Sequence, residues 1–207
     1  MRYRTAITTA ALLAALTACS DDSGSGDDKD APHTEPGTSA PAEPPADTGQ
    51  GLALGKAAPT IGSGGTGSLE ITPTAVTYTP TASQGMLKPT NGRYAVIAYK
   101  ARAITAVAAD ETAPADNGGW TWTAPDGQSV TTLDGEATSV TPNGFTNSGP
   151  VNPGSYQWRS VAFDLTPAQA KGGRLVYTDG EQKTHTWTIP AQDAGPEAAK
   201  LKKAVLG

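Results

Sequence analysis

Arg93-Tyr94-Ala95-Val96-Ile97-Ala98-Tyr99 is the stretch of sequence that decides the fold class. Successive side chains of a β-strand point to opposite faces of its sheet, and both alternating sets are apolar here. The two sets are Tyr94, Val96 and Ala98, and Ala95, Ile97 and Tyr99. The stretch therefore predicts a central strand that is covered on more than one side.

The sequence around this stretch is typical of an all-β domain. From Thr60 onward, β-branched and aromatic residues occur in short runs that Gly, Pro, Asn and Asp separate. The pattern is typical of a mostly antiparallel sandwich or barrel, and turn signals at Pro125-Asp126-Gly127 and Asp179-Gly180 support the divisions between strands. The predicted strands cover residues 69–78, 93–105, 119–124, 128–133, 156–165, 173–178 and 183–189.

Two further segments complete the predicted domain. Apolar residues at helical spacing, with Pro196 in the first turn, predict a short C-terminal helix over 196–206. The loop 134–153 is rich in Gly, Asn and Pro, so we expect it to be the least ordered part of the domain.

Packing and turn motifs in the C-terminal half carry a family resemblance. They are Pro153-Gly154, Val161-x-Phe163-x-Leu165, Gly173-Arg174-Leu175-x-Tyr177-x-Asp179 and Thr186-Trp187-Thr188-Ile189. Together with the strand from Ala95 to Tyr99 and the hairpin from Trp122 to Gly127, they resemble a bacterial family of uncharacterised extracellular domains, similar to a small secreted mycobacterial antigen. The resemblance covers about residues 55–190. It implies an immunoglobulin-like antiparallel β-sandwich of about seven strands, and the family has no accepted catalytic residues to carry over.

The N-terminal segment indicates export and lipidation. Arg2 and Arg4 precede an uncharged run from Thr5 to Ala18, which is too short to cross a bilayer core of about 30 Å comfortably and reads as a signal peptide. Leu16-Thr17-Ala18-Cys19 resembles a bacterial lipobox, which implies a diacylglyceryl group on the Cys19 sulfur and cleavage before Cys19. The alternative is an ordinary signal peptide with a chance cysteine. We expect a protein anchored in the membrane through Cys19, on the outer face of the cytoplasmic membrane.

Charge separates the chain into parts. Residues 20–51 hold eight acidic residues against Lys29 alone, whereas residues 52–207 hold twelve acidic and twelve basic residues. The Pro-rich acidic segment cannot build a core and predicts a disordered tether. The neutral domain has no basic stripe, which argues against nucleic acid as a partner. We divide the chain into a signal peptide (1–18), a lipidated tether (19–51), the sandwich (52–192) and a C-terminal helical segment (193–207).

Several motifs invite chemical interpretations that their context does not support. The Gly62–Gly67 stretch fits G-x-G-x-x-G, but a strand pattern follows it where a dinucleotide site needs a helix. His185 is the only histidine of the domain and alternates with threonines on a strand. Asp110, Glu111, Asp116 and Asn117 crowd one loop, which leaves calcium binding open, although their spacing matches no defined calcium loop. We therefore predict no catalytic residues, no cofactor and no metal ligands.

The prediction of a recognition surface depends on the aromatic residues. Trp120 and Trp122 alternate with threonines and are expected in the core. Tyr156 and Trp158 lie on the face opposite to Val161, so they are expected on the outer surface, either as a recognition surface or beneath the loop 134–153. We expect a non-catalytic, lipid-anchored interaction module of unknown ligand. The alternative is a protein directed at cell-wall glycan or another carbohydrate, with weak enzymatic activity left open.

The lipobox generates the first prediction. Cys19→Ala removes the thiol that receives the lipid, so we expect either an uncut precursor or release of the protein into the medium. Membrane fractionation, with mass spectrometry of the wild-type N-terminus, measures this outcome. Unchanged membrane partitioning of Cys19→Ala, with no lipid on wild-type Cys19, would show that anchoring does not use this residue.

Overall fold

The computed structural model describes residues 51–207. The predicted signal peptide, the lipidation site at Cys19 and the tether up to residue 50 lie outside the described residues. The described part contains nine strands, four single-turn 3-10 segments and one α-helix. These are β1 (Leu52–Ala53), β2 (Ala58–Ile61), β3 (Ser68–Thr79), β4 (Arg93–Ala103), β5 (Gly119–Thr123), β6 (Ser129–Thr131), β7 (Tyr156–Leu165), β8 (Gly173–Thr178), β9 (Thr184–Ile189) and the helix α1 (Ala198–Leu206).

The strands form two packed sheets. Five strands form one sheet in the order β1-β9-β8-β5-β6, and four form the other in the order β2-β3-β4-β7. All pairs are antiparallel except β1 with β9. The predicted all-β sandwich is confirmed, since all seven predicted strands and the C-terminal helix are present.

The sequence pattern does not predict β1 and β2. The first has only two residues, and the second contains Pro59 and pairs only with β3, as suits a proline on an edge strand. Pro73 lies inside β3, where the pairing with β4 shifts register between Pro73 and Ala75. The pairing with β2 ends at Ile71, and the Pro73 carbonyl accepts from the Gly55 N–H, so the missing N–H of Pro73 faces away from β4 and costs no ladder bond there.

The main core lies between the two sheets. Trp122, Trp187 and Phe163 are among its fully buried side chains, and Trp120 is 7% exposed. The structure thus places Trp120 and Trp122 in the core, as predicted. Val161, Phe163 and Leu165 of β7 all point into it, in agreement with their alternation in the sequence.

A second core lies on the outer face of the four-stranded sheet. Tyr94, Val96 and Ala98 of β4 are fully buried there, beneath Phe145 of the loop 134–153 and Leu201 of α1. The central strand is therefore covered on both sides, as its sequence predicts. The loop 134–153, expected to be the least ordered part of the domain, supplies buried side chains to both cores. Those side chains are Ala137, Val140, Phe145 and Val151.

The C-terminal helix is amphipathic and begins two residues later than predicted. Leu201 and Val205 are buried, while most other positions face solvent, and Pro196 lies in the turn before the first helical residue, Ala198. The apolar stripe packs against β3, so the helix closes part of the outer face of the sheet.

A buried carboxylate holds the covering loops in place. The side chain of Asp164, at the outer face of β7, is fully buried and accepts three backbone N–H groups. Thr90 donates to Oδ2 at 2.7 Å, Asn91 to Oδ1 at 2.9 Å and Glu136 to Oδ2 at 3.1 Å. Because these donors belong to two different loops, one side chain fastens both loops to the sheet.

We expect Asp164→Asn to destabilise the domain by about 3 kcal/mol, because the amide NH₂ group must face at least one buried N–H donor. Urea unfolding measures the loss of free energy. Asp116→Asn, at an exposed carboxylate, is the matched control and is expected to change stability by less than about 0.5 kcal/mol. Equal stability of the two variants would contradict the role given to Asp164.

Candidate functional site

Part of the outer face of the four-stranded sheet is left open. The second core covers the end that contains Tyr94, and the other end presents a group of side chains that we call the open patch. The strand register places Lys100 beside Trp158, Arg102 beside Tyr156, and Glu70 beside Arg102. The open patch consists of Glu70, Lys100, Arg102, Tyr156 and Trp158.

The two aromatic residues of the open patch differ in exposure. Tyr156 is 56% exposed, whereas Trp158 is half-buried. Their ring centroids lie 6.4 Å apart in an edge-to-face arrangement, and Trp158 meets Phe145 in the same manner at 5.9 Å. Both rings lie on the outer face, but the loop 134–153 covers part of Trp158. Tyr156 is therefore the freely accessible ring.

Basic side chains frame the exposed ring. The Nζ atom of Lys100 lies 5.3 Å from the centroid of the Tyr156 ring, within the distance of a cation–π contact. Arg102 forms an ion pair with Glu70, with 3.1 Å between Nη2 and Oε1. The open patch therefore offers an apolar ring next to hydrogen-bond donors, an arrangement that suits a ligand with both apolar and polar faces.

A buried polar network closes one end of the main core. Arg159 is 5% exposed and donates from Nη1 to Oε1 of Glu111 at 2.8 Å. The other carboxylate oxygen of Glu111 accepts hydrogen bonds from the Tyr99 hydroxyl at 2.8 Å and from the Trp120 indole N–H at 3.1 Å. Gln157 and the carbonyl of Gly149 accept the remaining guanidinium donors. Each charged group is thus paired and hydrogen-bonded, as burial requires.

This network engages two acidic residues of the loop 110–117. Glu111 is occupied by Arg159, Tyr99 and Trp120, and Asp110 also lies 3.4 Å from the Arg159 guanidinium. Asp116 and Asn117 are exposed in a separate 3-10 turn. Within residues 51–207, no group of three or more histidine, cysteine or acidic side chains comes together as metal ligands would.

Burial dominates the titration of the core tyrosines. It raises the pKa of Tyr99 well above the usual tyrosine range, and the adjacent Glu111 carboxylate raises that pKa further. Burial likewise raises the pKa of Tyr177 to about 12, although a hydrogen bond from the Thr112 N–H opposes the shift. Both hydroxyls therefore stay protonated at neutral pH, where the Tyr99 hydroxyl donates to Glu111 and the Tyr177 hydroxyl accepts from the Thr112 N–H.

His185 pairs with a carboxylate that serves the fold. Its Nε2 atom lies 2.9 Å from Oδ2 of Asp179, and both side chains are buried. Asp179 also accepts the backbone N–H groups of Ile61, Glu181 and Lys183. Burial alone would raise the pKa of Asp179, but the hydrogen bonds from His185 and these amides outweigh burial and lower the pKa. The arrangement fastens the β8–β9 turn to β2.

The Gly62–Gly67 stretch forms the connection between β2 and β3. The N–H of Gly62 donates to the carbonyl of Gly67 at 3.1 Å, and no helix follows the turn, since β3 begins at Ser68. A Cβ atom on Gly180 would collide with the carbonyl oxygen of Gly62, so the turn packs closely against the β8–β9 turn. Its glycines therefore serve close backbone packing.

Comparisons with protein-family models, curated proteins and solved structures give no significant match. Functional inference therefore depends on the sequence and on the geometry of the site. In the described part of the chain, none of the helices is both long and apolar enough to span a membrane.

Sequence reasoning found Tyr156 and Trp158 but missed the residues that frame them. Lys100 and Arg102 share the strand face of Tyr94, Val96 and Ala98, so the outer face of β4 changes from apolar to basic along the strand. From that change in residue type, Lys100 and Arg102 could have been assigned to the open patch. Residue spacing gave no indication that Arg159 meets Glu111, because they are 48 positions apart in the chain.

The buried network generates a prediction about charge. Arg159→Met leaves the Glu111 carboxylate buried without its cation, so we expect a loss of about 3–5 kcal/mol in unfolding free energy. Adding Glu111→Gln keeps an acceptor for Tyr99 but removes the unpaired charge, and should recover about 1 kcal/mol.

Chemical unfolding of the wild type, both single variants and the double variant forms a complete double-mutant cycle for this pair. Strict additivity of the two substitutions would contradict the ion pair as the source of the stabilisation.

Proposed function

We propose that this chain is a lipid-anchored, extracytoplasmic binding module with an immunoglobulin-like sandwich and no catalytic activity. The observation that carries this proposal is the open patch, where Tyr156 stays 56% exposed on the uncovered part of the outer sheet face. Aromatic residues are more frequent in contact surfaces than in the rest of a protein surface, so an exposed aromatic ring favours a role in binding.

The use of polar groups in the domain supports a non-catalytic role. Within residues 51–207, Glu111, Asp164, Asp179 and His185 are buried or nearly buried groups of the kind that acid–base chemistry uses. Each is held by hydrogen bonds that fasten loops or close the core, as described above. A general base must instead be placed to reach a substrate proton.

The N-terminal sequence supports the anchored location. A diacylated Cys19 would hold the protein stably on a membrane, since two acyl chains are enough for lasting attachment. The tether would span about 30 Å as a flexible coil and about 100 Å when fully extended. Either length gives the domain access to layers outside the lipid surface.

The topology supports the immunoglobulin-like assignment. The chain crosses between the two sheets after β1, β4, β6 and β7, and hairpins join β5 to β6 and β8 to β9 within one sheet. Buried tryptophans between two antiparallel sheets are also a feature of such sandwiches.

Cell-wall glycan is a second candidate for the ligand. The specific observation in its favour is the exposed ring of Tyr156 with Lys100 and Arg102 beside it. A sugar ring stacks its apolar C–H face on an aromatic ring while its hydroxyls take hydrogen bonds from neighbouring side chains. An aromatic ring framed by donors meets both requirements.

We expect Tyr156→Ser to weaken binding to purified wall sacculi at least about tenfold, since a stacking aromatic residue contributes on the order of 1–3 kcal/mol. Its unfolding free energy should change by less than about 1 kcal/mol, because the ring is exposed. Co-sedimentation measures binding, and thermal unfolding measures stability.

Met86→Ser is the matched control. Met86 is 80% exposed and lies in the loop between β3 and β4, at the opposite end of the sheet from Tyr156. Equal effects of the two substitutions on sacculus binding would contradict a role for the open patch.

A further inference from the structure

A cleft of about 350 Å³ lies beside the free edge of β7, against the segment 132–148. Among the described residues β7 is the last strand of its sheet, so its far edge is not paired with a strand and faces this segment. The segment is bonded to β7 at more than one point: Thr146 bridges Arg159, Asn147 donates twice to the Trp158 carbonyl, and the Phe145 carbonyl accepts from the Ser160 hydroxyl. The remaining edge of β7 forms one wall of the cleft.

The lining of the cleft divides into an apolar floor and a polar rim. Ala137, Val140, Val161 and Ala162 are buried and form the floor. Exposed neutral side chains form the rim, and they are Thr138, Thr141, Thr146, Asn147 and Ser148. Within residues 51–207, the four hydroxyls of this rim make no hydrogen bond to the protein. Each hydroxyl can both donate and accept, so the rim suits a ligand that itself carries hydroxyls.

The cleft carries no free charge. Arg159 contributes to its wall, but Glu111, Asp110 and Gln157 engage the guanidinium. The Tyr99 hydroxyl, also in the wall, donates to Glu111. An anionic or cationic ligand would find no unpaired partner at these groups, so the chemistry favours a neutral one.

The edge of β7 is too short to favour an added peptide strand. The Trp158 and Asp164 carbonyls accept bonds from loop residues, which shows that the backbone groups of even-numbered residues point away from β4. Between them lie only Ser160, whose hydroxyl donates to the Phe145 carbonyl, and Ala162. An incoming strand would therefore find free main-chain groups only at Ser160 and Ala162, whereas strand addition depends on a longer row of main-chain bonds.

From these features we propose that the cleft binds a neutral saccharide of about one or two sugar rings, a size that fits the low end of ligand-pocket volumes. The apolar floor receives the C–H face of a sugar, and the rim hydroxyls bond to its hydroxyl groups. The inference deepens the proposed binding function by naming the ligand class, and it rests on that function.

The cleft and the open patch adjoin each other. Phe145 lines the cleft and meets Trp158 of the open patch at 5.9 Å, and Asn147 of the rim is hydrogen-bonded to the Trp158 carbonyl at 3.0 Å. A glycan with one ring in the cleft would extend towards Tyr156. The two surfaces then act as neighbouring subsites for one chain of sugars.

The test uses chitotriose and cellotriose, two neutral trisaccharides, titrated into the full chain while amide signals are followed by NMR. We expect the largest shifts at residues 137–148 and 160–162. Thr138→Val/Thr146→Val removes two rim hydroxyls with little change of shape and should weaken binding about tenfold. Thr184→Val, at an exposed threonine on β9, is the matched control and should bind like the wild type.

Several outcomes would overturn the inference. They are no shifts with either trisaccharide, shifts confined to other residues, equal binding by the double variant and the wild type, or shifts at 160–164 with an extended peptide alone. If Tyr156→Ser abolishes sacculus binding while the cleft double variant has no effect, the cleft inference fails and the proposed function stands. If trisaccharides bind the cleft but Tyr156→Ser keeps full sacculus binding, the role of the open patch fails.

Discussion

The burial of β4 on both faces is the constraint on which the rest of the structure depends. Ile97 and its neighbours on one face belong to the core between the sheets, while Val96 and its neighbours on the other face need a cover of their own. A second sheet supplies the first cover. The C-terminal helix and the loop 134–153 supply the second, since an apolar face left in water would forgo about 25 cal/mol for each Å². The helix and the long loop are therefore structural parts of the domain.

The candidate sites arise where this second cover ends. The helix and loop reach only about half of the outer face, and beyond them β4 changes from apolar residues to Lys100 and Arg102. Buried polar groups hold the covering loops in place on the outer sheet face. Asp164 holds two loops at one end of β7, and Arg159 holds the residues around Gly149 towards the other end. The only cysteine is at position 19, so no disulfide can form within the domain. The hydrogen bonds of Asp164 and Arg159 hold the loops instead, as disulfides do in many secreted domains. Both the open patch and the cleft lie next to the loop 134–153, which these hydrogen bonds hold in place.

Much of the fold was predictable because it depends on local pattern. Strand alternation located the buried face of β7 and placed Tyr156 on the other face, since a period of two leaves only two choices. The fate of Trp158 was not predictable in this way, because its exposure depends on where a loop some ten residues away comes to lie. Glu111 had the same difficulty: its sequence neighbours left calcium binding open without matching a calcium loop, whereas its partner in the structure, Arg159, is distant in the chain. Long-range pairing of polar groups leaves no periodic signal in a sequence.

Charge also shapes how the proposed module would bind. The domain holds twelve acidic and twelve basic residues, so it has no net charge to steer a ligand from a distance, and affinity must come from short-range contacts. A shallow neutral site of this kind would bind a single sugar only weakly. Anchoring at Cys19 would compensate, because many copies on one membrane face a polymeric ligand together, and linked weak contacts gain 10²- to 10⁴-fold in overall affinity. In the proposed function, the lipid anchor thus contributes to binding strength as well as to location.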